Sequence, residues 1–302
     1  MIDFRTDQGK AQLVNLIGTA DVLIENFKVG GLAKYGLDYE SLSADHPRLV
    51  YCSITGFGQT GPYAKRAGYD FLMQGMSGLM SITGEKGGEP QKTGVAITDL
   101  FTGLYSVIAI QAALRARDET GRGQHIDMAL LDVATAVTAN QAWNYLATGK
   151  PPGLTGNAHP NIVPYQVLPT SDGHFILAVG NDGQYRRFCD VIDRADLALD
   201  ERFQTNPLRV EHRETLVPIL QEETARRTKQ ELLSGCEARG VPASPINNLA
   251  EVFADPHIQA REMQLELDGL PAVRNPIRFS DSGLKLDHPA PKLGADTKDL
   301  LD

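Results

Sequence analysis

Cysteine is scarce: Cys52, Cys189 and Cys236 are the only three in 302 residues. They lie far apart in apolar or helical-looking sequence, so they offer neither a disulfide framework nor a metal-ligand spacing, and they read as core thiols of a protein kept reduced. Positive charge is outweighed, with 29 Lys and Arg against 38 Asp and Glu and a formal net charge of −9. That balance lacks the basic field that steers a chain to nucleic acid or to an anionic membrane, so any anionic ligand must be held by local groups. No apolar run reads as long enough for a membrane span. The opening residues have neither the basic-then-apolar order of a signal peptide nor an Arg- and Ser-rich transit character, so the expected location is the cytoplasm. The one glycine-dense loop, residues 55–63, has no GxGxxG register and no Walker lysine, which gives no support to dinucleotide or nucleoside triphosphate binding. Internal repeats and low-complexity tracts are absent as well.

What is present is ordinary globular composition, 42% hydrophobic and 22% charged, over a length that suits one large or two modest domains. Residues 7–20 carry Leu13, Val14, Leu16 and Ile17 on one helical face, and Val22-Leu-Ile24 then makes a short apolar strand. Residues 49–54 repeat the buried-strand signature. Helix followed by apolar strand, twice, predicts a doubly wound α/β core with a parallel sheet covered on both faces. The glycine-dense loop leaves the carboxyl end of the second strand, where open α/β sheets bind ligands. A long apolar helix is expected over 99–117 and closes at Thr120-Gly-Arg-Gly123; a strand at 124–128 and a helix over 130–147 follow. Gly149-Lys-Pro-Pro-Gly153 cannot continue a helix and marks the main boundary. Beyond it, paired strands at 164–169 and 174–179, joined by Ser171-Asp-Gly173, and helices near 185–193, 213–226 and 229–239 predict a smaller α+β domain. Short helices at 250–255 and 258–263 and strands near 264–267 and 276–279 are expected to complete the chain.

Few residues announce chemistry by themselves. Asp99 follows Val95-Ala-Ile-Thr98 at a helix start, where an N-cap carboxylate is the plainer reading and a nucleophile held at a sheet edge the sharper one. Tyr69-Asp70, after Arg66-Ala-Gly68, marks another helix start and by itself shows only capping. His159, in Gly156-Asn-Ala-His-Pro-Asn161, stands alone among turn residues. Arg5, Lys28 and Lys34 lie in the first α/β unit, where cations can hold phosphates or decorate a surface.

Taken in order, Glu25-Asn-Phe-Lys-Val-Gly30, Pro47-Arg-Leu-Val-Tyr51, Gly56-Phe-Gly-Gln-Thr-Gly-Pro62, Gly68-Tyr-Asp70, Asp99 and Thr120-Gly-Arg-Gly-Gln124 resemble the class III CoA-transferases, a family that includes carnitine and formyl-CoA transferases and α-methylacyl-CoA racemases. The resemblance spans essentially the whole chain. It implies that a coenzyme A thioester is the substrate, that no cofactor is permanently bound and no metal is used, and that Asp99 carries the acyl group as a mixed anhydride and then CoA as a thioester. It implies CoA-binding roles for Asn26 and Phe27, near the adenine and pantetheine parts, for Arg5 and Lys34, near the phosphates, and for Tyr69. It makes Gly156, Asn157, His159 and Asn161 part of a mobile loop over the active site whose N–H groups stabilise oxyanions. Here that loop reads His-Pro-Asn where formyl-CoA transferases have glycines.

Tyr69 stands where the racemases carry a histidine. A phenol is a poor base at neutral pH, which favours transfer over racemisation. The resemblance further implies succinyl-CoA as donor, a dicarboxylic acid as acceptor and an interlocked homodimer. It divides the chain into a large CoA-binding domain over 1–129, a linker over 130–158, a small domain over 159–246 and a return to the large domain over 247–302. Family members begin with a further strand-helix-strand segment that this chain is expected to lack; a non-catalytic CoA-binding remnant is therefore the alternative to an active transferase.

Overall fold

The structure, a computed structural model, describes residues 1–301. Contacts divide the chain into two compact units, residues 1–156 with the stretch from 293 onward, and residues 157–292. Residues 130–156, expected as linker, thus group with the first unit. Residues 247–292, expected to return to it, group with the second.

The first unit is built on three parallel strands, β1 (Val22–Glu25), β2 (Val50–Thr55) and β3 (His125–Ala129), in the order β1-β2-β3. Val22 pairs with Val50, Tyr51 with His125 and Thr55 with Ala129. Val50, Tyr51, Cys52 and Ser53 are all buried in succession, as expected of a central strand covered on both faces, so β2 shows no polar alternation. Helix α1 (Asp7–Thr19) packs Ile17 against Leu32, Leu37, Leu42, Leu49 and Tyr51. The short helix α2 (Tyr39–Leu42) follows β1, and α3 (Asp70–Met76) and α4 (Ile97–Thr120) lie between β2 and β3.

Helix α4 begins two residues earlier than expected. Its N-cap is Ala96, which makes no side-chain cap bond, so Asp99 is the third residue of the helix rather than its cap. At 24 residues α4 is long and apolar enough, by length and composition, to cross a membrane, which the sequence had not suggested. Its buried residues are Thr98, Thr102, Ser106, Ile110 and Ala113, spaced by three or four. The Thr102 hydroxyl donates to the Thr98 carbonyl at 2.7 Å and the Ser106 hydroxyl to the Thr102 carbonyl at 2.8 Å, so two of the three hydroxyls on this face are paired, while the Thr98 hydroxyl is buried without a partner. The more apolar face, with Leu100, Leu104, Val107 and Ile108, is exposed.

The helix expected over 130–147 is two helices, α5 (Leu130–Val137) and α6 (Ala139–Thr148), broken where Ala139 adopts φ 46°. No glycine or proline marks the break.

In the second unit, the hairpin β4 (Tyr165–Thr170) and β5 (Gly173–Ala178) pairs antiparallel in the expected place, and β6 (Ala243–Pro245) adds to β5. Leu168, Phe175, Leu177, Tyr185, Phe188, Phe203, Leu216, Leu220 and Leu232 form its core. The Arg209 side chain is fully buried there. It donates to the carbonyls of Val163 at 2.7 Å and Phe203 at 2.9 Å and to Asp182 at 2.8 Å, and it lies 4.4 Å from the Tyr185 ring centroid. A last hairpin joins β7 (Gln264–Leu267) to β8 (Leu270–Val273). The second short strand was expected at 276–279. The turn between them is Asp268-Gly269 with φ of 51° and 77°, the left-handed pair a tight hairpin needs, and it sets the second strand earlier.

Candidate active site

All three parallel strands end at one place. Asn26 and Phe27 follow β1, Thr55 and Gly56 close and follow β2, and Leu130 follows β3; all line a cleft of about 450 Å³ at the carboxyl edge of the sheet. Across it stand Arg66, Tyr69, Asp99, Thr102 and Gly103. The structure therefore brings Asp99, Asn26, Phe27 and Tyr69, four of the residues singled out in the sequence, to one cleft.

The glycine loop is shaped by close contacts. Gly58 N–H donates to Thr55 Oγ1 at 3.0 Å, and Gln59 N–H donates to the Asp127 carboxylate at 2.9 Å. Gly56 and Gly68 face each other so closely that a Cβ on Gly68 would stand 2.4 Å from the Gly56 Cα, and one on Gly56 would stand 2.6 Å from the Gly68 Cα. Only hydrogen fits between them. This contact sets where Tyr69 and Asp70 begin the next helix.

Asp99 is exposed to the cleft. Partial burial, and secondarily the charge of Asp70, push its carboxyl above the ordinary carboxylate range. A place in the first helical turn favours the anion, yet desolvation and Asp70 outweigh it. The raised carboxyl makes the Asp99 carboxylate a stronger base than an ordinary one.

Arg5 and Lys34 do not line this cleft. They lie beside an aromatic cluster that reaches it: Phe4 packs edge-on against Phe27 at 5.6 Å and Tyr35 at 5.2 Å, and the Lys34 ammonium sits 4.8 Å from the Tyr35 ring centroid. Arg5 is engaged by Asp3, with Nε and Nη2 each 2.8 Å from a carboxylate oxygen, and that pairing holds the Asp3 carboxyl down at about 2. The cleft also holds two cations absent from the sequence-derived set. Lys28 had been noted only as a candidate cation, and Arg66, stacked 3.9 Å from the Tyr63 ring centroid, was read only as sequence before a helix start. The signal for Arg66 was its place two residues before Gly68-Tyr69.

The segment Gly156–Asn161 is held by bonds of its own. Gly156 N–H donates to the Gly84 carbonyl at 3.0 Å. In the second unit, His159 N–H donates to the Tyr165 carbonyl at 2.9 Å, Asn161 N–H donates to His159 Nδ1 at 3.1 Å, and Arg213 donates to the His159 and Pro160 carbonyls at 3.0 Å. Asn157 lies between these bonded positions in the chain. Partial burial and the Arg213 charge push the His159 imidazolium down, in keeping with an Nδ1 that accepts. Among the described residues no group of three or more His, Cys, Asp or Glu is placed to hold a metal.

A parallel α/β sheet whose strands all feed one cleft, with a carboxylate in the first turn of a helix that lines it, is the arrangement of an α/β ligand-binding site. The chain belongs to CoA-transferase family III, whose profile matches residues 1–297. It is 56% identical to a succinate–glutarate CoA-transferase of Agrobacterium fabrum, over 99% of this chain and 76% of that protein. It is 38% identical to the human succinyl-CoA:glutarate CoA-transferase, over 99% of this chain and 70% of that one. Among solved structures it is similar to a CaiB/BaiF family protein from Brucella suis at a TM-score of 0.86 and 57% identity, covering 100% of this chain and 80% of the other. The substrates of such an enzyme are CoA thioesters.

Proposed function

We propose that this enzyme moves CoA from succinyl-CoA to a second dicarboxylic acid, glutarate being the first candidate, with Asp99 as the attacking carboxylate. The observation that carries the mechanism is the placement of Asp99 in the cleft that Asn26, Phe27 and Tyr69 also line. The acids come from what the similar proteins are named for.

In this reading the Asp99 carboxylate attacks the thioester carbonyl, CoA thiolate leaves, and an acyl-aspartyl anhydride remains. Thiolate attacks the aspartyl carbonyl and expels succinate, leaving CoA as a thioester on Asp99. The acceptor carboxylate displaces the thiolate to form a second anhydride. Thiolate attack on its acyl carbon then releases the new acyl-CoA and restores Asp99. No partner base is needed, because every nucleophile is already an anion.

Asn26, Phe27 and Tyr69 line the path of the thioester arm in this assignment, and Arg5 and Lys34 serve the phosphates. Arg5 must then exchange its Asp3 partner for a phosphate oxygen. Oxyanion donors are assigned to the Gly156–Asn161 segment. Since Gly156 and His159 spend their N–H groups on Gly84 and Tyr165, their use there requires those bonds to open, consistent with a mobile loop. The domain division stays part of the proposal with two adjustments from the contacts: residues 130–156 join the large domain, and the chain returns to it at residue 293 rather than 247. A homodimer, the arrangement the family resemblance implies, would cover the exposed apolar face of α4. A cytoplasmic setting suits the three unpaired thiols.

The test is to mix purified protein with succinyl-CoA and glutarate, follow glutaryl-CoA by mass spectrometry, and trap the intermediate with hydroxylamine. Asp99 should become a hydroxamate, and Asp99→Ala should show neither product nor label. Undiminished transfer by Asp99→Ala would remove the mechanism. Light scattering of the same sample should report twice the chain mass.

A further inference from the structure

Helix α4 carries Asp99 but has no cap of its own, because Ala96 offers no side-chain acceptor. Its first turn is instead tied to a neighbouring helix. Thr98 N–H donates to Asp70 Oδ1 at 2.8 Å, so the residue immediately before Asp99 is fixed by a carboxylate from α3. The other oxygen, Asp70 Oδ2, accepts from Gln74 Nε2 at 2.7 Å. Gln74 is fully buried, and its Oε1 accepts the backbone N–H of Thr93 at 2.9 Å. Thr93 in turn donates its hydroxyl to the Val95 carbonyl at 2.8 Å. The clamp therefore holds the chain on both sides of the α4 start, at Thr93 before it and at Thr98 within it.

We infer that Asp70 and Gln74 are positioning residues for Asp99, and that their pairing requires one carboxylate and one amide, here the carboxylate at 70 and the amide at 74. A backbone N–H only donates, so Thr93 forces the Gln74 oxygen toward itself and the Gln74 amino group toward residue 70. Residue 70 must then accept on that side and accept again from Thr98 on the other. Asparagine at 70 can accept on one side only. It would set an amino group against the Gln74 amino group, or turn Gln74 and leave Thr93 N–H unpaired beside a buried side chain. Neither residue need touch substrate. Their effect is to hold the attacking oxygen in register with the thioester carbonyl, where a displacement on the order of 1 Å costs about a hundredfold in rate.

The inference rests on Asp99 being the nucleophile and is tested apart from it. Asp70→Asn and Gln74→Glu are made singly and together, and kcat, the KM for succinyl-CoA, hydroxylamine labelling of Asp99 per folded molecule and thermal stability are measured for each. Each single substitution should lower kcat and the single-turnover labelling rate by about tenfold to a hundredfold with KM nearly unchanged. The double variant restores the wiring in reverse. The asparagine at position 70 accepts from Thr98 and donates its amino group to the carboxylate at position 74, which accepts from Thr93 on its other oxygen. It should recover kcat to within severalfold of the parent. Full kcat in the single variants would overturn the inference, as would losses that simply multiply in the double variant. Labelling read per folded molecule keeps the comparison decisive if one variant folds poorly. Failure of the Asp99 assignment would look different, as transfer that survives Asp99→Ala.

Discussion

The contact between Gly56 and Gly68 can be converted into a number. An alanine at 68 would put its Cβ 2.4 Å from the Gly56 Cα and 2.8 Å from the Met73 Cε. The methionine end can swing away, but the Gly56 backbone cannot, because its carbonyl holds Leu131 N–H at 3.0 Å at the start of α5. Forced overpacking of this kind costs about 1–3 kcal/mol, and a backbone-to-backbone clash belongs at the upper end. Neither glycine is among those with positive φ, so no left-handed strain adds to the cost. The substitution recovers about 0.4–1 kcal/mol by restricting the unfolded chain. A net loss of about 2 kcal/mol follows, or roughly 4–8 °C in Tm for a domain of this size. Because Tyr69 and Asp70 come next in the chain, relief of the clash should also move the clamp on α4 and lower kcat. Thermal melting and steady-state transfer of Gly68→Ala measure both quantities. A variant that melts with the parent and turns over at the parental rate would refute the steric account of this turn.

Other substitutions probe separate parts. Gly103→Ala should raise stability by about 0.5–1 kcal/mol, since its Cβ meets nothing within 4 Å and glycine is a poor interior helix residue. It should also raise the KM for the CoA donor, because Gly103 lines the cleft; melting and saturation curves check the pair of effects. Arg209→Met should cost about 3–5 kcal/mol in urea titrations, since it strips the Val163 and Phe203 carbonyls and Asp182 of a buried donor. Asp99 gives a pH prediction with a definite sign. Its carboxyl is raised in the fold, so the fold favours the neutral form: that contribution is present below the ordinary carboxylate value and is lost as pH rises through the raised one. At neutral pH the ionised group is therefore a cost. Asp99→Asn should melt no lower than the parent at pH 7 while transferring nothing, and the acid limb of the parental kcat/KM profile should lie above about 3.9.

Much of this architecture was legible because its signals are local. The apolar runs at 22–24 and 49–54 read as short strands and pair in parallel, although Ile24 in the first is exposed, and Ser171-Asp-Gly173 located the β4–β5 turn. What was missed has non-local causes. Ala139 takes a left-handed conformation with no residue to announce it, so one helix was expected where two occur. Ala243-Ser-Pro245 has no strand character of its own and is recruited by the edge of β5. The start of α4 was set at Asp99 because a carboxylate is a good cap. The carboxylate that does the capping is Asp70, twenty-eight residues before the Thr98 whose N–H it accepts, and only the packing of α3 on α4 reveals it. For the site, the ordered motifs named Asp99, Asn26, Phe27 and Tyr69, whereas Arg66 and Gly103 enter the cleft through tertiary placement.

The three thiols make each unit report its own opening. Burial pushes the Cys52 thiol up, and Cys189 and Cys236 up to about 11, so none is a ready nucleophile while its surroundings are intact. Cys52 lies in the central strand of the first unit and the other two in the core of the second. An alkylating reagent at neutral pH is then a clock with two hands. The rate at which Cys52 is modified measures how often the parallel sheet gives way, and the rate at Cys189 and Cys236 measures the same for the smaller unit, so the two stabilities can be read separately in one unmodified protein.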